Sequence, residues 1–205
     1  MNRRTIIILA VVVAVTGAYF LFFHKSENKP EEKQKALIVS QNSDGFNTAF
    51  NEVLGTYDSL HDAFVNWDST VATDKAGRLQ VLLSNFPVND VKGDSSLVLT
   101  AKSFTETAAA EAQAIASANG LEEKRRSFYT LSENLYNLAR TVRYDQQILY
   151  HVNCPMAFND EEEAFWLSRN NEVVNPYLGN KHPKYKNGML NCGEVKDSID
   201  FRQQK

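Results

Sequence analysis

In the stretch FNTAFNEVLGTYDSLHDAFVNW, residues 46–67, the side chains Phe46, Phe50, Val53, Tyr57, Leu60, Phe64 and Trp67 recur at steps of three and four. At 3.6 residues per turn this spacing gathers them on one face of an amphipathic helix, leaving polar residues on the other. Such a face needs a packing partner. His61 falls on the same side and reads as a histidine satisfied at the core margin rather than as a ligand.

Three more runs of this kind follow. Ala72, Leu79, Leu82, Leu83 and Phe86 form the second, with Asp68, Ser69 or Thr70 as N-cap and Pro87 as terminator. The third, opened by Asp94 or Ser95, sets Leu97, Ala101, Phe104, Ala108, Ala112, Ile115 and Ala118 on one stripe. Its small residues let a neighbouring helix come close. Asn119-Gly120 is expected to stop it, since glycine accepts the left-handed conformation without a Cβ penalty. The fourth run begins at Leu121-Glu122-Glu123 and carries Phe128, Leu131, Leu135, Leu138 and Val142, with Arg140 and Arg143 suiting the dipole at its end. Four amphipathic helices on short connections predict a mainly α protein with a four-helix bundle over 45–144.

Upstream, residues 6–23 read IIILAVVVAVTGAYFLFF, carry no charge and follow Arg3 and Arg4. A helix needs roughly 20 apolar residues to cross a hydrocarbon core of ~30 Å. Residues 1–24 therefore predict an N-terminal transmembrane helix, an uncleaved signal anchor with its arginines on the cytoplasmic side and the rest of the chain exported. A cleaved signal peptide is the rival reading, and the run is long for one. Residues 25–44, which open KSENKPEEKQK, read as a charged linker ahead of a domain over 45–205. Once Arg3, Arg4 and Lys25 are set aside, 19 of the 22 basic residues face 25 acidic ones, a net charge of −6. Nucleic-acid binding would want a basic face, and none is visible.

After Tyr144 the helical period ends. Residues 147–152, QILYHV, are β-prone, and residues 154–195 are punctuated by turn pairs such as Asn159-Asp160, Asn175-Pro176 and Asn187-Gly188. Residues 145–200 thus predict a small β-containing lobe, with Trp166, Pro176, Tyr177 and Gly179 as its anchors on the bundle. The lobe holds both cysteines. In an extended backbone Cys154 and Met156 face the same side, and Met189 and Cys192 make a second sulfur pair three apart. Four such ligands suit a soft ion such as Cu(I), with His151 and His182 as nitrogen additions. Two cysteines in an exported domain also suit a disulfide, Cys154–Cys192, closing a loop of about 39 residues and contributing about 4 kcal/mol on the chain-entropy model. Separate free thiols are the third option. No phosphate loop, nucleophile elbow or His-Glu-x-x-His pattern is present, and Glu161-Glu162-Glu163 reads as a solvated turn. The expectation is a protein without catalytic activity.

CPMA at 154–157, Phe-Trp-Leu-Ser at 165–168, NPY at 175–177 with Gly179, and ML-x-CG-x-V at 189–195 resemble the DUF3347 family, as do LHDAFVNW at 60–67 and FYTLSENLYNL at 128–138. The resemblance spans roughly 46–199. Two departures stand out: Leu178 occupies a position where an aromatic is common, and Lys181–Gly188 looks inserted. The family is of uncharacterised function and typical of exported bacterial proteins. Related domains occur attached to, or encoded near, periplasmic adaptors of copper and silver efflux systems. The resemblance therefore implies a periplasmic domain on a single-pass inner-membrane anchor. Cys154, Met156, Met189 and Cys192 would be its metal-handling residues, and an efflux adaptor or another envelope protein its partner. The competing expectation is a metal-free interaction module whose lobe is pinned by the Cys154–Cys192 bridge.

Overall fold

Helices α1 (Asp44–Val65), α2 (Ser69–Ser84), α3 (Ser95–Ser117) and α4 (Leu121–Thr141) precede strands β1 (Leu149–Phe158), β2 (Glu162–Ser168) and β3 (Glu194–Ile199). The strands form one antiparallel sheet in the order β2-β1-β3. This computed structural model describes Asn2 and residues 40–202, and each of these described elements lies in the unit Ile38–Lys205. About half of the described residues are helical, as the bundle-plus-lobe reading expects. The anchor expected over 6–23 lies outside the described residues. Among those described, no helix is long and apolar enough to cross a membrane.

Three of the four helix starts follow from side-chain caps. Ser43 Oγ accepts from the Phe46 amide at 3.1 Å, Asp68 from Val71 at 2.9 Å and Asp94 from Leu97 at 2.8 Å. Each satisfies an amide that the helix itself leaves orphaned. Residues 40–44, read as linker from sequence, belong to the fold. Ser40 Oγ donates to Asp145 Oδ1 at 2.7 Å, and Asn42 Nδ2 donates to the Val142 carbonyl at 3.1 Å.

The helix ends differ from expectation. Gly120 has φ −91° and is the N-cap of α4, not a left-handed stop for α3, which ends at Ala118 in extended geometry. The left-handed closures fall instead on Trp67 (φ 60°) after α1 and Arg143 (φ 50°) after α4. In each, the next amide reaches back to the helix: Asp68 N to Ala63 O at 2.9 Å, and Tyr144 N to Ala139 O at 3.0 Å. These are Schellman turns built without glycine, a conformation that costs about 1–3 kcal/mol and needs tertiary support.

The predicted stripes form the core. Phe46, Phe50, Leu60, Phe64, Leu79, Ala101, Ala108, Ala112, Ile115, Phe128, Leu131, Leu135 and Leu138 are all fully buried. The alanines of α3 let it pack closely on α2 and α4. The outer side of α4 carries the sheet, with Tyr129 stacked near Phe165 and Tyr136 against His151.

One side chain joins the two halves. Tyr57 stacks on Phe128, with ring centroids 5.0 Å apart, and its hydroxyl lies 2.6 Å from Ser132 Oγ. Because Ser132 Oγ donates to the Phe128 carbonyl, Tyr57 is the donor in that pair, and its oxygen accepts from the Leu167 amide of β2 at 3.0 Å. Tyr57→Phe should therefore lower stability to urea by about 1–3 kcal/mol, because it leaves a buried amide without an acceptor. Burial also raises the Tyr57 phenol far above its ordinary range. The unfolded chain ionises there at about pH 10, while the folded chain keeps the proton. The unfolded state then binds fewer protons, so stability falls as pH rises past about 10. That alkaline slope should be shallower in Tyr57→Phe. Parallel slopes in variant and wild type would show that Tyr57 does not carry it.

Candidate functional site

β1 is the central strand, paired along both edges, and the burial of consecutive residues along most of its length shows that both of its faces are covered. Alternation then sends neighbouring side chains to different surroundings. His151 goes toward α4. Its ring lies between Tyr136 (centroids 4.0 Å apart) and Phe165 (4.5 Å), and its Nε2 donates to Glu133 Oε1 at 2.6 Å. Cys154, three positions on, is fully buried and opposite Ala164 of β2.

The second thiol reaches Cys154 through a tight loop. The Cys192 amide donates to the Met189 carbonyl at 3.0 Å, so these two residues close one turn just before β3. Gly193 follows at φ 142°, and a Cβ there would stand 2.5 Å from the Asn153 carbonyl. Only a residue without a side chain lets this turn lie so close to β1. The two cysteines are unbridged and lie close enough to interact through their thiols. Burial pushes the Cys154 thiol up to about 11, against the opposing pull of the Met156 backbone and the Asn175 side chain; Cys192 adds to the rise. At neutral pH Cys154 is therefore a protonated thiol, and an ion bound there would have to displace its proton.

Asn175 holds this arrangement, and the sequence alone does not single it out. Fully buried, it donates through Nδ2 to the Cys192 carbonyl at 2.7 Å, while its Oδ1 accepts from the Tyr177 and Leu178 amides at 2.8 and 3.0 Å. Its signals in the sequence are the Asn-Pro pair, which reads as a turn, and its place in the NPY motif of the family resemblance. Tyr177 donates from its hydroxyl to the Phe165 carbonyl, and Trp166 packs edge-on to Tyr177. Pro176 offers its carbonyl to the guanidinium of Arg125, 2.9 Å from Nε. Gly179 has φ 60°, and a Cβ on it would meet the Val65 carbonyl at 2.5 Å and Trp67 Nε1 at 2.7 Å. Pro176 and Gly179 thus lie against bundle residues, whereas these contacts of Trp166 and Tyr177 are made within the lobe.

Of the expected ligands, the structure brings Cys154 and Cys192 together and sends the histidines elsewhere. His151 is engaged with Glu133. His182 Nδ1 accepts from the Lys184 and Tyr185 amides, and its ring packs against Trp67 and Tyr185. Among the described residues no group of three or more His, Cys, Asp or Glu side chains could hold a metal ion. The two histidines therefore do not complete a site with the thiols. Met156 is half-buried in the stretch of β1 where the register shifts, between Cys154 and Phe158, and Met189 is half-buried in the Cys192 turn. Thiols and thioethers are soft donors, better suited to soft ions than to hard ones. The acidic cluster has structural roles. Glu162 pairs with Arg126 at 3.0 Å, and Glu163 accepts from Asn153 at 3.1 Å.

The fold is thus a four-helix bundle bearing a small three-stranded lobe with a buried thiol pair. Residues 53–147 match the model of the family described as "Protein of unknown function (DUF3347)". The match runs from within α1 to just before β1 and leaves the thiols outside it, although several of the motifs that suggest the family lie in the lobe. No curated protein and no solved structure matches the chain.

The anchoring loop gives a direct test. Gly179→Ala should destabilise the protein by about 2–4 kcal/mol, through a strained left-handed alanine and a clash with backbone. Loss of Trp67 fluorescence features at lower denaturant should report it. A change within a few tenths of a kcal/mol would show that the loop can move away from α1 freely.

Proposed function

We propose that the domain is a non-catalytic accessory that binds a soft monovalent metal ion, copper(I) foremost, through Cys154 and Cys192. The observation that supports this reading is that Cys154 of β1, buried, and Cys192 of the turn before β3, half-buried, are unbridged and made neighbours by the close approach of Gly193 to the Asn153 carbonyl. Thiolate sulfur favours soft ions over hard ones, and neighbouring thioethers from Met156 and Met189 would offer weak, exchangeable ligands. In this reading residues 1–24 anchor the domain to the bacterial inner membrane and the lobe faces the periplasm. The ion would be buffered there or handed to a heavy-metal efflux adaptor, a partner suggested by the context in which related domains occur.

The same facing pair supports a second reading. In an oxidising compartment Cys154 and Cys192 would close as a disulfide that pins β1 to the β3 turn, and the lobe would serve to dock another envelope protein.

A thiol count with and without reductant, followed by Cu(I) titration of the reduced protein, separates the two. The metal-binding reading expects one tightly held copper per chain, lost in Cys154→Ser and in Cys192→Ser. Binding that survives both substitutions would place the ion elsewhere. The disulfide reading expects no free thiols before reduction and no copper after it. It also expects the two serine variants to destabilise by similar amounts and non-additively.

A further inference from the structure

A cavity of about 480 Å³ opens where the first turns of α1 face the segment that leaves α4. Asp44, Asn47, Thr48 and Asn51 line it from α1, at the helical spacing that keeps them on one face, opposite Phe46 and Phe50. Tyr144, Gln146 and Gln147 line it from the other side. Tyr144 arrives there because Arg143 takes the left-handed turn and folds the chain back, and the Tyr144 ring is then fixed edge-on to Phe50 at 4.7 Å.

Four buried side-chain polar atoms among the described residues have no hydrogen-bond partner, and three line this cavity: Asn47 Oδ1, the Tyr144 hydroxyl and Gln147 Nε2. More than nine in ten buried polar groups are paired, so three orphans on one cavity call for an occupant. Asn47 is 9% exposed and Tyr144 fully buried. The Asn47 amide is oriented by its Nδ2, which donates to Ser40 Oγ at 3.0 Å, leaving Oδ1 as a fixed acceptor. Gln147 supplies a donor, and Tyr144 can act as either. Gln147 neighbours the Tyr144 hydroxyl, but the two do not meet in hydrogen-bonding geometry.

The lining selects the chemistry of the occupant. Four carboxamides and two hydroxyls surround it with a single carboxylate, Asp44, and no lysine or arginine. Arg169 reaches the rim, donating to Asn51 Oδ1 at 3.5 Å, but it is paired with Asp58. An anion would thus find no free cation, a divalent metal only one lining carboxylate, and an apolar group no apolar wall. A hydroxyl group both donates and accepts, so adjacent hydroxyls match this alternation of donors and acceptors. We propose that the cavity binds a neutral polyhydroxylated small molecule, a sugar or polyol, through Asn47, Tyr144 and Gln147.

The test uses the full-length chain in a detergent without a sugar headgroup, reading the side-chain amide resonances of Asn47, Asn51 and Gln147 by NMR. The probes are sorbitol, glucose, maltose and diacetylchitobiose, with inorganic phosphate and glycylglycine as controls. The expected result is a saturable shift of the Asn47 and Gln147 amides with at least one hydroxylated probe and none with phosphate. The pattern across the probes separates a linear polyol from a ring sugar and a free sugar from a glycan fragment. Tyr144→Phe should weaken that binding about five- to tenfold, the worth of one hydrogen bond, without lowering Tm, because the hydroxyl has no partner in the fold. Gln147→Ala, on a half-buried loop position, should weaken binding similarly. The proposal is overturned if no hydroxylated probe gives a saturable shift, which would leave water as the occupant. It is equally overturned if glycylglycine gives the strongest response, or if Tyr144→Phe lowers Tm, which would show that the hydroxyl is bonded within the protein.

Discussion

Arg125, only 4% exposed, carries a guanidinium into the interior at the start of α4, and among the described residues no carboxylate lies within ion-pair distance of it. Its counter-charge is assembled from dipoles. One nitrogen donates to the Phe64 carbonyl at 2.8 Å, another to the Pro176 carbonyl at 2.9 Å, and the group lies 4.1 Å over the Trp67 ring. Phe64 sits at the C-terminal end of α1, where unsatisfied carbonyls concentrate negative partial charge and favour a cation. Burial pushes the group down to about 9, with the field of Glu122 opposing, so it is still charged at neutral pH. A lysine could not reproduce this arrangement. The planar fork is what lets one residue bond two carbonyls from different segments while stacking on an indole.

The rest of the lobe depends on that contact. By holding Phe64 and Trp67, Arg125 supports the left-handed Trp67 that closes α1. Trp67 Nε1 donates to the Leu178 carbonyl, and the Val65 carbonyl accepts from Asn180, so the chain from Asn175 to Asn180 is fixed against the end of α1. Asn175, at the start of that segment, then sets the Cys192 carbonyl and with it the turn that presents the second thiol. The thiol pair is thus positioned by bundle residues that touch neither sulfur.

The four helices are legible in the sequence because their apolar residues repeat at steps of three and four and because Asp68 and Asp94 are strong N-caps. The two left-handed helix ends are not, since Trp67 and Arg143 occupy positions where glycine is the usual marker and only tertiary contacts reveal their support. Arg125 and Lys124 are equally hidden. Lys124 is buried, donating to Thr73 Oγ1 and the Ile115 carbonyl, yet in sequence both sit among the charges of a first turn. His151 shows a different kind of miss. Closeness in sequence groups it with the sulfur residues, but three positions along a strand reverse the face, and that parity can be counted from residue numbers alone. The meeting of Cys154 and Cys192 cannot be counted in this way, because it depends on a long connection folding back through Asn175 and Gly193.

The family match stops at residue 147, seven positions before the first thiol, which separates two levels of the molecule. α4 belongs to both. Its inner side, through Phe128, Leu131, Leu135 and Leu138, completes the bundle core, while Tyr129, Glu133 and Tyr136 on its outer side bind the sheet. A helix used on both sides transmits rigidity from a repeating apolar core to a segment with little regular structure of its own. The bundle is the part that the family model matches, and the lobe, where several of the family-like motifs also fall, is carried on it. What the protein binds has to be argued from atoms in the lobe and in the cavity at the open end of α1.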